Sequence, residues 1–169
     1  LLFGPPVYLE YGNGLLRQVN YDTYLHVAGI STKNGNTPIQ SLTYGFDPNL
    51  RITAITDGVT AGQTQQYQYD DLSRLTRAEL AGGNVATFGY DAVGNRTTLA
   101  NSSPASSTSY TIGATNNRMT QAVTGGLTRT FTHDTNGDIT GFTNVAGVAN
   151  TLAYDPFGRL ASHTKSGTT

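Results

Sequence analysis

The stretch Phe88-Gly89-Tyr90-Asp91-Ala92-Val93-Gly94-Asn95-Arg96 decides the fold. Phe88 and Tyr90 flank a small Gly89, the period-two pattern of a strand whose successive side chains point to opposite faces. Asp91-Ala92-Val93-Gly94 then reads as a type I turn, with Asp placed to accept backbone N–H bonds and Gly where φ can be positive. Further from this stretch, the same frame returns at Tyr21-Asp22, Phe46-Asp47, Tyr69-Asp70, His133-Asp134 and Tyr154-Asp155, and in degenerate form at Ile112-Gly113. Successive separations are 25 (47−22), 23 (70−47), 21 (91−70), 22 (113−91), 21 (134−113) and 21 (155−134) residues. A period this regular is the first thing a fold must explain.

Two columns define the strand in each copy. Val19, Tyr44, Tyr67, Phe88, Tyr110, Phe131 and Leu152 stand three residues before the turn position, and Tyr21, Phe46, Tyr69, Tyr90, Ile112, His133 and Tyr154 stand one before it. All but His133 are aromatic or aliphatic, and the residues between them are polar or small. The turn recurs as Asp134-Thr135-Asn136-Gly137 and as Asp155-Pro156-Phe157-Gly158, where the fixed φ of Pro156 suits the second position. A returning strand follows, as in Arg51-Ile52-Thr53, Arg74-Leu75-Thr76 and Arg159-Leu160-Ala161. Gly14, Gly62, Gly83, Gly126 and Gly147 lie eight residues before the turn position and mark the opposite reversal, while Ser102-Ser103-Pro104-Ala105-Ser106 reads there as a longer, mobile loop.

Two reversals per repeat leave about six to eight residues per strand and about fourteen strands in an antiparallel meander. The fold class is therefore all-β, a single-layer sheet of hairpin repeats. Residues 1–14 are assigned to the end of a preceding repeat with its strand and turn, and residues 15–169 to about seven hairpin repeats without a separate second domain. WD40 and kelch propellers need about 40–50 residues per blade and do not fit. A parallel β-solenoid stays open as the competitor, although its corners bend the chain without folding it back.

Composition narrows the function. The chain has 169 residues, 10 basic and 11 acidic, for a net charge of −1, and only 12% of its residues are charged. Its Lys and Arg residues are scattered, so there is no basic stripe to neutralise phosphates, and no apolar run approaches the roughly 18 residues of a membrane span. Without Cys there is no disulfide frame and no thiolate metal site. The chain opens on Leu1 with its only Met at 119, as expected of a piece of something longer.

Tyr67-Gln68-Tyr69-Asp70-Asp71-Leu72-Ser73-Arg74-Leu75, Phe88 to Arg96, and Leu152-Ala153-Tyr154-Asp155-Pro156-Phe157-Gly158-Arg159-Leu160 resemble the YD repeats of RHS proteins, a family of bacterial polymorphic toxins, insecticidal toxin complex C components and teneurins. The resemblance implies a curved or spiralling sheet that forms part of a hollow shell, whose partners are the remaining repeats of the parent chain and an enclosed C-terminal cargo or toxin domain, in a secreted or cell-surface protein. Family shells end in a self-cleaving segment with paired Asp-Pro-x-x-Gly motifs. Here Asp155-Pro156-Phe157-Gly158 lies inside an ordinary repeat, so no protease residues are assigned and no self-cleavage is expected. The competing reading is an adhesion module whose outer face binds a glycan or receptor.

The residues of interest are thus structural. Asp22, Asp47, Asp70, Asp91, Asp134 and Asp155 are read as turn caps, with Gly94, Gly137 and Gly158 closing their turns. Arg51, Arg74, Arg96, Arg118 and Arg159, four or five residues after the turn position, are read as laddering with the Asp residues of adjacent hairpins, and the Tyr columns as cross-strand ladders. Asp134, Asn136 and Asp138 imitate the first, third and fifth positions of a calcium loop; Ile139 and Val145 in its required Gly and Glu positions exclude an EF-hand loop and leave a weak calcium candidate beside the favoured reading of a repeat turn. The three histidines fall in different repeats, and His133 and Asp134 project to opposite faces, which suits no relay. No enzyme activity and no cofactor are expected.

Overall fold

The computed structural model describes residues 5–144 and 146–166. Its strands are β1 (Tyr8–Glu10), β2 (Leu15–Tyr21), β3 (Val27–Asn34), β4 (Thr37–Phe46), β5 (Ile52–Asp57), β6 (Gln65–Tyr69), β7 (Leu75–Leu80) and β8 (Asn84–Tyr90), followed by β9 (Arg96–Ser102), β10 (Ala105–Ile112), β11 (Met119–Thr124), β12 (Leu127–His133), β13 (Ile139–Thr143), β14 (Ala149–Tyr154) and β15 (Leu160–Lys165). Strand order is sequence order in one open sheet. The pairings are antiparallel, which excludes the solenoid. The count is fifteen among the described residues because the short β1 adds one strand to the expected meander. The chain divides after Ala86 into two compact units.

In the first unit, register sets Val19 opposite Ile30, Ile30 opposite Leu42, Tyr44 opposite Ile55 and Tyr67 opposite Ala78, so these side chains share one face. The other face carries Gln18 opposite Ser31, Ser31 opposite Ser41, Gly45 opposite Ala54 and Gln68 opposite Arg77. The second unit repeats the division: Tyr110 opposite Ala122, Phe131 opposite Phe142 and Leu152 opposite His163 on one face, against Thr132 opposite Gly141 and Thr151 opposite Thr164 on the other. Among the described residues only Gly29, Ala122 and Asn150 are buried, so neither unit has a conventional core. Asn150 tolerates burial because its Nδ2 donates to the Val148 carbonyl (3.0 Å) and its Oδ1 meets His163 Nε2 (2.9 Å).

Where so little apolar surface is buried, order must come from the backbone ladder and from the turns. Two reversals differ from expectation. Residues 102–106 form no long loop: Ser102 pairs directly with Ala105, and Ser103-Pro104, joined by a cis peptide, makes the whole turn. Gly62 does not open a tight hairpin either; it sits in a single 3-10 turn, Ala61–Gln63, that bridges β5 and β6. The chain there leaves the ladder early, with Asp57 Oδ1 accepting from the N–H groups of Val59 and Thr60 at 2.9 and 2.8 Å.

Candidate functional site

The chemistry of the chain is concentrated in the row of Asp turns, which is its candidate functional site. In each, the Asp N–H donates to the carbonyl four residues on at 2.9–3.0 Å, and the Asp carbonyl accepts from the N–H three residues on at 2.9–3.3 Å. This is a three-residue hairpin loop whose last residue takes left-handed φ, a G1 bulge. Gly94 (φ 96°), Gly137 (φ 103°) and Gly158 (φ 73°) fill that position as expected. Leu25 (φ 66°), Leu50 (φ 62°) and Ser73 (φ 62°) fill it in the first unit without glycine's freedom, so those turns carry strain that something else must hold.

The Asp side chain holds it. Its Oδ1 accepts from the backbone N–H groups two and four residues on: Tyr24 and His26 on Asp22, Asn49 and Arg51 on Asp47, Leu72 and Arg74 on Asp70, Val93 and Asn95 on Asp91, Phe157 and Arg159 on Asp155, all between 2.8 and 3.1 Å. Its Oδ2 takes the side chain four residues on: His26 Nδ1 (2.9 Å), Arg51 Nε (2.6 Å), Arg74 Nε (2.7 Å), Asn95 Nδ2 (2.9 Å) and Arg159 Nε (2.8 Å). The ion pairs of Arg51, Arg74 and Arg159 are thus made inside their own turns. A planar guanidinium four residues along a folded-back chain is already beside its own carboxylate.

Arg51 nonetheless reaches its neighbour by another route. Its Nη1 donates to the Asp70 carbonyl (2.9 Å) and to Ser73 Oγ (3.2 Å), and its guanidinium lies 4.9 Å from the centre of the Tyr69 ring. Tyr69 Oη in turn donates back to the Ile52 carbonyl at 2.8 Å. One repeat thus grips the next through an arginine forward and a tyrosine backward. The backward bond recurs as Tyr21 Oη to the Pro6 carbonyl (3.1 Å) and Tyr154 Oη to the Ile139 carbonyl (3.0 Å). Arg118 grips forward onto the carbonyls of Asp134 and Thr135. Beyond its cross-strand pairs, the Tyr column thus works through hydroxyl-to-backbone bonds at Tyr21, Tyr69 and Tyr154 and through the guanidinium contact at Tyr69.

Other sites depart from the frame. Arg96 falls one residue late: Asn95 takes the carboxylate, and the Arg96 guanidinium lies 5.0 Å from the Tyr110 ring centre. Phe46, without a hydroxyl, ends β4 with its ring 6.4 Å from His26. Tyr90 ends β8, half-buried. Asp134 spends Oδ1 on the N–H groups of Gly137 (2.9 Å) and Asp138 (3.0 Å), which makes it a turn cap. Asn136 is exposed at the tip, and among the described residues no three His, Cys, Asp or Glu side chains stand together as a metal site.

Two devices lay outside the sequence reading. The returning strand carries a bulge six residues after the turn position, where Ala28, Thr53, Thr76, Thr140 and Ala161 are skipped by the register. Asn144 also builds the same turn on the opposite rim, its Oδ1 accepting from Ala146 (2.9 Å) and Val148 (3.0 Å). An Asn or Asp three residues before Gly147 was the available signal.

The hydrogen bonds hold the carboxyl groups below the usual aspartate range. For Asp22 and Asp91 the side-chain bond from His26 or Asn95 leads, and for Asp70 and Asp155 the backbone N–H of Arg74 or Arg159 leads. At Asp47 partial burial pushes upward most strongly of any single influence, and the bonds from Arg51 and Asn49 together outweigh it. Groups whose pKa is lowered by folding stabilise the fold above the unfolded value, about 3.9, and lose that contribution as pH falls through the lower folded values. The thermal midpoint is therefore expected to hold steady down to about pH 5 and to fall steeply below about pH 4. A midpoint unchanged at pH 2.5, followed by circular dichroism, would mean the caps carry no stability.

The RHS repeat family model matches residues 69–104, one full Asp turn and the next. No curated protein matches the chain in sequence. Among solved structures, a chain of the Photorhabdus luminescens Tc holotoxin pore superposes with a TM-score of 0.59 at 19% identity, over 93% of this chain and 10% of that one. A chain of the TcdB2-TccC3 crystal structure gives 0.61 at 19% identity over 96% and 11%, and one of TcdB2-TccC3-Cdc42 gives 0.61 at 19% over 96% and 12%. This chain spans about a tenth of their length, and at that identity the likeness is one of fold.

Proposed function

We propose, from the match of residues 69–104 to the RHS repeat model, that the chain is a stretch of an RHS-repeat protein and forms part of the wall of a shell enclosing another domain of a longer, exported or surface-displayed protein. Its work is structural, with no reaction of its own. The observation that carries the reading is the grip of Arg51 on Asp70 and Ser73, because it ties hairpin to hairpin along a rim without a packed core. A wall that must enclose without filling its own interior needs its cohesion in the sheet plane and at the rim, and that is where these bonds lie.

Protease treatment of the full-length parent tests enclosure. The domain beyond the repeats is expected to survive digestion in the intact parent and to be cut when expressed alone. Arg51→Ala in the parent is expected to speed its cleavage. Equal digestion of that domain in both settings would overturn the proposal.

A further inference from the structure

The side chain four residues after each turn Asp fills a seat between that turn and the next. Arg51 shows the complete seat: the Asp47 carboxylate at its Nε, the Tyr69 ring beneath its guanidinium, and the Asp70 carbonyl and Ser73 hydroxyl at its Nη1. At the corresponding junction in the second unit the four-residue position is Asp138. The rest of the seat is intact: Tyr154 stands where Tyr69 stands and donates its hydroxyl to the Ile139 carbonyl as Tyr69 does to Ile52, and Asp155 stands where Asp70 stands. Only the Ser73 hydroxyl is missing, its place taken by Gly158.

What remains is a cavity of about 330 Å³ lined by Asp134, Asp138, Thr140, Tyr154, Asp155 and Gly158. Asp155 is paired with Arg159 Nε at 2.8 Å, and Arg118, whose guanidinium lies beside Gly137, donates to the Asp134 and Thr135 carbonyls and, among the described residues, to neither the Asp134 nor the Asp138 carboxylate. Among the described residues, neither Asp134 Oδ2 nor the Asp138 carboxylate has a donor, whereas Oδ2 is occupied in Asp22, Asp47, Asp70, Asp91 and Asp155.

We infer that this cavity is a binding seat for a guanidinium group, an arginine side chain presented by another polypeptide segment. The ligand class follows from the occupied seat at Arg51, where a carboxylate, a ring face and a carbonyl hold the same planar cation. Here the protein supplies a second carboxylate in place of the cation. A flat, forked donor matches that set, since it can engage Asp134 and Asp138 while lying on Tyr154. An ammonium, a point charge without a face to stack, matches it less well. A spherical metal ion would find no use for the ring, and the described residues offer no three-ligand cluster. The inference does not depend on the enclosure reading.

Amide chemical shifts of the 169-residue chain, titrated with N-acetyl-arginine amide, test it. Binding with a Kd on the order of millimolar is expected, the affinity scale of a single small group, with shifts confined to the turns at 134–138 and 155–158. N-acetyl-lysine amide is expected to bind several-fold more weakly. Asp138→Arg fills the seat from within: its thermal midpoint is expected to rise by about 2 °C or more, and its response to the arginine probe to vanish. Asp138→Asn is expected to keep the response but weaken it several-fold. No shift in these turns at saturating probe, equal binding of the lysine probe, or an undiminished response in Asp138→Arg or Asp138→Asn would each overturn the assignment.

Discussion

Replacing Asp70 by alanine lowers the thermal midpoint of the chain by about 5 °C or more, whereas asparagine at the same position lowers it by less than half as much. The alanine variant loses the acceptor for the N–H groups of Leu72 (3.0 Å) and Arg74 (2.9 Å) and the partner of Arg74 Nε (2.7 Å) at once. Those donors sit in a turn that already holds Ser73 at φ 62°, so removing the cap releases strain into an open loop. Asparagine keeps the Oδ1 acceptor and gives up only the charge at Oδ2. Differential scanning calorimetry of both variants separates cap from charge, and equal midpoints would show that Oδ1 does not organise the turn.

Gly94→Val is expected to cost about 2 kcal/mol, the range for forcing a β-branched residue into the left-handed region. The cost is purely conformational, because a Cβ at Gly94, φ 96°, would meet nothing within 4 Å. Leu50→Gly should go the other way by a smaller amount, since it relieves φ 62° at a leucine that is 57% exposed and so gives up little burial. Urea unfolding of the two variants reads both signs. If Gly94→Val unfolds at the wild-type midpoint, the positive φ is not enforced in solution.

The sequence made the hairpin frame legible because two periods coincide in it. Tyr67, Tyr69 and Asp70 carry the strand alternation and the turn within four residues, and the spacing to Asp91 and Asp155 repeats both. The turn type was readable at Gly94, Gly137 and Gly158 but hidden at Leu25, Leu50 and Ser73, where propensity argues against left-handed φ and a side-chain cap overrides it. The role of arginine was misplaced for a geometric reason. Spacing along the chain does not tell whether Arg51 Nε or its Nη1 meets a carboxylate, and the structure gives Nε to its own Asp47 and Nη1 to the Asp70 carbonyl, a backbone atom with no sequence signature. The Ser103-Pro104 turn was read too long because Ser and Pro signal loops without setting their length. The empty seat at Asp138 was visible only as an Asp in the Arg column, and its meaning needed the Arg51 geometry beside it.

Native-state hydrogen exchange on Arg51→Ala reads the grip between consecutive turns. Exchange is predicted to speed up in two places: at Asn49 and Arg51 in the altered turn, and at Ser73 and Arg74 in the next one, where Arg51 Nη1 no longer binds the Asp70 carbonyl and Ser73 Oγ. Faster exchange confined to the altered turn, with Ser73 and Arg74 as protected as in the wild type, would contradict it.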